Sequence, residues 1–416
     1  MIAVPILVAA TGVSVFIGQE LAIRGDAHDA RIAVEAGRYD EARRIINRWL
    51  DARPGSAEAH FLLARVALAE KRPDEIAEAF GKAQELGHDA EELGRLRGLL
   101  LVFIGRPEEA EPLLVAALER ADGDDPEVAE ALASVLLASY RILPAKVVLE
   151  HWMRSTPDDA RPYLWMTEVD RRTQAAPPVL LGHYRAALDR DPTLDAARLG
   201  LARALLEASR HDEAAEHFAE YLGRHPDDPD ALVDAGRTAL DRGELDDAAR
   251  YLDAALGLSP GDAEALRERG VLDLRLGNPE VALDRLDAAV ERSPFDREAW
   301  YHRAQALARV GRIEEAAGAQ ARSEDLLEDE QRLDALRKGL VRSPDDRDLQ
   351  AGIASWLFDH GQPEEALRWT SLILKFSPDH APTLQLLADY YSRIGDHGQA
   401  NYYRMQAGSA VGGPSS

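Results

Sequence analysis

Residues 195–296 read DAARLGLARALLEASRHDEAAEHFAEYLGRHPDD (195–228), PDALVDAGRTALDRGELDDAARYLDAALGLSPGD (229–262) and AEALRERGVLDLRLGNPEVALDRLDAAVERSPFD (263–296), three copies of one pattern thirty-four residues apart. Pro192, Pro226, Pro260 and Pro294 keep this interval, as do Ala214, Ala248, Ala282 and Ala316, and Gly243, Gly277 and Gly311. Each copy reads as a helix, a glycine turn, a second helix and a proline stop. A hairpin of this size cannot bury its apolar face alone. Small residues recurring at this period therefore predict an all-α solenoid in which each hairpin packs on its neighbours.

The totals agree with one elongated array. The 416 residues are rich in alanine, leucine, arginine and glutamate, and alternating Val/Ile/Thr runs are scarce, which favours helices throughout. Against 49 Lys and Arg stand 74 Asp and Glu, a formal net charge of −25, so the surface as a whole repels polyanions and nucleic acid is not an expected partner. The absence of cysteine excludes disulfides, thiolate metal sites and a cysteine nucleophile, and also a lipidated cysteine.

Outward from the regular copies, the pattern continues with defects. An array at 23–194 is partly degenerate: Gly37, Ala42 and Pro54 fit the first unit, His88 replaces a stop proline, Pro144 stands where a second helix starts, and Gln174 to Pro178 replaces a glycine turn. The regular array spans 195–330. Pro344 lies fifty residues after Pro294, so sixteen residues are inserted, and an extra helix is expected at 331–346. Two more units occupy 347–408, with Gly361 and Gly395, Ala354 and Ala388, and Ala366 and Ala400 again in register, before a polar tail at 409–416 that is expected to be disordered.

Residues 1–22 form a separate apolar segment with no charge from Ile2 to Gly18. As a helix that uncharged run reaches about 26 Å against a hydrocarbon core of about 30 Å. Three readings fit it: an uncleaved membrane anchor, which we favour, a signal segment removed to leave a secreted or periplasmic chain, and an apolar helix capping the first repeat.

The best copies, Leu232, Ala235, Gly236, Ala239, Ala248, Leu252 and Pro260, then Trp300, Ala304, Leu307 and Ala316, resemble the tetratricopeptide repeat family. The resemblance implies a right-handed α-α superhelix of about ten to eleven hairpins, with the apolar N-terminal helix added. It also implies an inner groove, lined by first helices, that binds a peptide or another protein. Members that hold chaperone C-termini use a lysine and asparagine clamp; the matching places here carry neither, which argues against such tails.

A stripe beside the core face of the first helices gives the candidate groove: Arg203, Arg237, Arg267, Arg275, Tyr301, Gln305 and Arg309, with Leu206, Leu240 and Leu274. Arginines on one inner face of an acidic chain point to an acidic or carboxylate-bearing partner segment. The plainer reading pairs them with Asp230, Glu264, Glu298, Glu207 and Asp241 on neighbouring helices. No HExxH, GxSxG, Walker or GxGxxG pattern occurs, so no catalytic residue, cofactor or metal is expected. The aromatics Trp356, Phe358, Trp369, Tyr390, Tyr391, Tyr402 and Tyr403 read as core and end cap, or as a second docking surface. The acidic run Glu324, Asp325, Glu328, Asp329 and Glu330 reads as a solvated helix face. The chain is thus expected to be a non-enzymatic, membrane-tethered interaction scaffold. The alternative is a soluble or periplasmic accessory subunit of a cell-envelope enzyme or polysaccharide assembly.

Overall fold

The computed structural model describes residues 25–412, and every regular element among them is a helix. The reading of residues 1–22 as anchor, signal or cap lies outside the described residues. The chain divides into two compact units, 1–135 and 136–416. In the first unit are α1 (25–35), α2 (Tyr39–Ala52), α3 (Ala57–Ala69), α4 (Pro73–Glu85), α5 (Ala90–Phe103) and α6 (Pro107–Arg120), and α7 (Pro126–Ala138) crosses the division. The second unit continues with α8 (Ile142–Ser155), α9 (Arg161–Arg172), α10 (Pro177–Arg190), α11 (Asp195–Glu207), α12 (His211–Arg224), α13 (Pro229–Arg242), α14 (Leu245–Leu258), α15 (Ala263–Arg275) and α16 (Pro279–Arg292). It ends with α17 (Arg297–Arg309), α18 (Ile313–Arg342), α19 (Arg347–Asp359), α20 (Pro363–Phe376), α21 (Ala381–Arg393) and α22 (His397–Gly412).

Each hairpin starts and turns by local chemistry. The stop proline is followed two residues later by an aspartate that caps the next first helix: Asp228 accepts from the Ala231 N–H at 3.1 Å, Asp262 from Ala265 at 2.7 Å and Asp296 from Ala299 at 2.9 Å. Between the two helices, Gly243 adopts φ +79° and closes α13, its N–H donating to Leu240 O while that of Glu244 donates to Ala239 O. Where glycine is missing, Lys71, Tyr140, Gln174 and Ser209 take the left-handed conformation instead.

The small residues permit close approach of the two helices. A Cβ on Gly236 would lie 2.7 Å from Leu252 Cγ, and one on Gly270 would lie 2.8 Å from Leu286 Cγ. Leu252 and Leu286 are fully buried by this contact. Burial of a leucine stabilises by about 1.5–3 kcal/mol, so the glycine and its leucine are complementary parts of one packing site. Within the second unit α11, α13, α15 and α17 also touch one another in sequence, whereas the second helices make no comparable contact. The row is therefore tighter on its first-helix side. In the first unit α3 touches α5 in the same way, over a core that includes Ile46, Trp49, Leu62 and Leu96.

Three expectations change in detail. Of the residues expected as a separate helix at 331–346, 331–342 are continuous with the second helix of their hairpin, giving the 30-residue α18, about 45 Å long, and 343–346 form the turn to α19. No glycine or proline interrupts the run between Gly318 and Gly339, so nothing ends the helix earlier. The last helix reaches Gly412, past the start of the tail expected at 409. The C-terminal aromatics are mostly packing groups: Trp369 and Phe358 are buried, Phe358 stacks on Tyr390 at 4.3 Å and Trp356 on His360 at 3.8 Å, while Tyr402 is exposed. The acidic run on α18 is only partly free, since Glu330 pairs with Arg297 at 3.0 Å and Asp329 with Arg332 at 2.7 Å.

Candidate partner-binding groove

The first-helix face of α11, α13, α15 and α17 carries the candidate residues, and their neighbours decide which of them a partner meets. Arg203 on α11 donates from Nε to Asp234 on α13 at 2.6 Å. Burial raises the Asp234 carboxyl, opposed by that hydrogen bond. Arg267 is 7% exposed and bonds Asp296 at 2.6 Å, Glu264 at 2.9 Å and Glu268 at 2.9 Å, with Glu298 at 3.6 Å. Burial opposes its charge and is outweighed by these four carboxylates. Arg267 is a staple between α15 and α17, not a groove-lining group.

Arg275 and Arg309 serve another purpose. Arg275 donates to Leu240 O and lies 3.4 Å from Asp241, and Arg309 donates to Leu274 O at 2.6 Å. Each thereby satisfies a carbonyl near the end of the preceding first helix, where a cation also complements the helix dipole. Arg172 does the same for Leu137 O. Leu206, Leu240 and Leu274 are buried core, because at their place in the helix the side chain turns into the hairpin rather than the groove.

Three candidates remain open to a partner. Tyr301 is 42% exposed, its ring edge against His302. Gln305 is half-buried beside His302, whose basicity is lowered first by burial and then by Arg267. Arg237 is half-buried and makes neither a hydrogen bond nor an ion pair, although Asp234 and Glu268 both feel its charge. Glu268 is 5% exposed, and burial lifts its carboxyl above the usual range against the pull of Arg267.

Tetratricopeptide repeat models match residues 171–232 and 205–269, and a second such model matches 29–90 and 268–331, together more than half of the sequence. The chain belongs to the tetratricopeptide repeat family. Among solved structures, this repeat protein is similar to YrrB, described as a TPR protein with an unusual peptide-binding site, at 21% identity over 43% of this chain and 91% of that one, with a TM-score of 0.34. It is similar to MamA at 18% identity over 40% and 96%, TM-score 0.33, and to the human IFIT1 dimer with PPP-AAAA at 16% over 86% and 91%, TM-score 0.39. No curated protein matches the sequence.

As a tetratricopeptide repeat protein the chain is a protein-interaction scaffold. Sequence reasoning missed Asp234, Glu268 and Asp296, the acids that occupy the arginines. The signal for Asp296 was present: an aspartate stands two places after the stop proline at Asp228, Asp262 and Asp296 alike.

Proposed function

We propose that this repeat protein is a non-enzymatic scaffold that holds a partner segment on the first-helix face of α11, α13, α15 and α17. The observation that carries the reading is Arg237, a half-buried guanidinium on that face with no hydrogen-bond partner. A part-desolvated donor gains when an acceptor is brought to it, and a guanidinium donates to both oxygens of a carboxylate in bidentate geometry. Asp234 and Glu268 lie close enough to feel its charge, so a densely acidic segment is repelled. The fitting partner presents one carboxylate to Arg237 and an apolar or aromatic group to Tyr301.

The membrane tether is a further part of the proposal and rests on residues 1–22. Among the described residues no helix is long and apolar enough to cross a membrane. Detergent-free fractionation of the full chain tests it: recovery of intact protein in the supernatant rejects the anchor.

The groove is tested by affinity capture with the full-length protein as bait. Arg237→Glu and Tyr301→Ala are each expected to lose the captured partner, and Arg250→Glu, on the outer helix α14, is expected to keep it. Identical capture by all four proteins rejects the groove.

A further inference from the structure

The sixteen extra residues of α18 give the helix a reach that no other second helix has. Its last turns lie against α9, across 160 residues of sequence: Gln174 Nε2 donates to Asp334 Oδ1. Beside this contact Tyr140 packs on Trp369 with ring centroids 4.9 Å apart, and Tyr140 belongs to the apolar cluster of the C-terminal hairpins. The two distant parts of the second unit thus meet through polar and aromatic contacts.

Between them is a cavity of about 430 Å³ whose wall holds Arg171 and Arg172 from α9 facing Arg337 and Lys338 from α18, with Glu168 and Asp334 as the only carboxylates. Those two acids are already used. Arg172 bonds Glu168 at 2.6 Å, donates to Leu137 O and lies over the Tyr140 ring at 4.9 Å, and Lys338 pairs with Asp334 at 2.8 Å. Arg171 bonds Glu207 at 3.4 Å and lies beside the Tyr184 hydroxyl, and Arg337 is exposed and makes no hydrogen bond or ion pair. In a chain of net charge −25, two guanidinium groups from non-adjacent helices line one cavity whose two carboxylates are taken by Arg172 and Lys338.

We propose that this cavity binds a phosphate group, bridged by Arg171 and Arg337, and that its occupation fastens α18 to α9. A carboxylate offers two acceptor oxygens and is matched by one guanidinium fork. A phosphate dianion offers three and suits two forks approaching from different helices. It also removes the repulsion between the facing cations, so binding is coupled to closure of the contact. Free phosphate and a phosphorylated side chain of a partner share this chemistry. The proposal does not depend on the first-helix groove, whose test uses other residues.

The test is the thermal midpoint of the full-length protein titrated with inorganic phosphate, and separately with N-acetyl-phosphoserine amide, at ionic strength fixed with sodium chloride. The wild type is expected to show a saturable rise. Arg337→Gln and Arg171→Gln are each expected to weaken the apparent affinity by about tenfold or more, the loss of one charged hydrogen-bonding partner. Arg332→Gln, on the same helix but paired with Asp329, is expected to match the wild type. Far-UV circular dichroism confirms that each variant is folded. Tighter binding of the phosphoserine probe assigns the site to a phosphorylated partner, and binding of inorganic phosphate alone assigns it to the free anion. Absence of a saturable rise, or equal responses from Arg337→Gln and Arg332→Gln, overturns the proposal.

Discussion

Asp296 ties two successive hairpins together through Arg267: one carboxylate oxygen caps α17 by accepting from Ala299 N at 2.9 Å, and the other accepts from Arg267 Nη1 at 2.6 Å. The same guanidinium neutralises Glu268, which is almost wholly buried. A single arginine therefore satisfies a helix cap on one repeat and a buried acid on its own, and what was expected to be a ligand-binding group is part of the frame.

Removing this arginine leaves Glu268 buried without its hydrogen-bonded counter-charge. Arg267→Met is expected to lower stability by about 3–5 kcal/mol, the cost of breaking a buried pair on one side. Adding Glu268→Gln removes the stranded charge and is expected to recover part of that loss. Urea unfolding followed by circular dichroism checks both; equal midpoints for the single and double variants reject the coupling.

Glycines in superficially similar helical places separate by what a methyl group meets. At Gly236 a Cβ falls 2.7 Å from Leu252 Cγ, so Gly236→Ala is expected to destabilise by about 1–3 kcal/mol through overpacking. At Gly182, in the exposed middle of α10, nothing lies within 4 Å. Gly182→Ala is expected to stabilise by about 0.5–1 kcal/mol by restricting the unfolded chain. Thermal midpoints moving in the same direction for the two variants refute the packing argument.

The fold was legible because its determinants are local and repeat. Pro226, Pro260 and Pro294 end second helices, Gly243 and Gly277 close first helices, and Ala248 and Ala282 mark contacts between them, all at one spacing. The groove was less legible because the fate of an arginine is set across repeats. Arg203 finds Asp234 thirty-one residues away, and Arg267 finds Asp296 twenty-nine away. Of the acids named in advance, Glu264 and Glu298 do meet Arg267 and Asp241 meets Arg275, but Asp234 and Asp296 take the shortest bonds. The length of α18 was readable from the proline spacing, whereas its contact with α9 depends on how the eight intervening helices are stacked.

The turn at Ser209 offers a gain in stability. Ser209 stands thirty-four residues before Gly243 and adopts φ +57°, a conformation that costs a residue with a Cβ roughly 1–2 kcal/mol. Ser209→Gly relieves that cost, partly offset by the greater freedom of glycine in the unfolded chain. A net stabilisation of about 1 kcal/mol is expected in urea unfolding. A lowered midpoint shows that the Ser209 conformation is not strained.

His302 makes the groove-side face sensitive to acid. Burial disfavours its charged form first and Arg267 adds to this, while Gln305, Glu298 and Asp296 pull in the opposite direction without prevailing, so its folded pKa lies below the ordinary histidine value of 6.5. Its Nδ1 is buried and has no hydrogen-bond partner. The sign follows from linkage: below pH 6.5 the unfolded chain takes up a proton that the folded chain refuses, so the unfolded state gains stability as pH falls. The stability contributed by keeping His302 neutral is fully present above pH 6.5 and is lost as pH falls from there through the lower folded pKa. His302→Gln removes the titrating group. Its unfolding free energy is expected to depend less steeply on pH between about pH 7 and 5 than that of the wild type, by up to about 1.4 kcal/mol for each unit of pKa difference. Parallel pH profiles for the two proteins place the ring in an environment that does not discriminate its charge states, and would remove His302 as a source of acid sensitivity beside Tyr301 and Gln305.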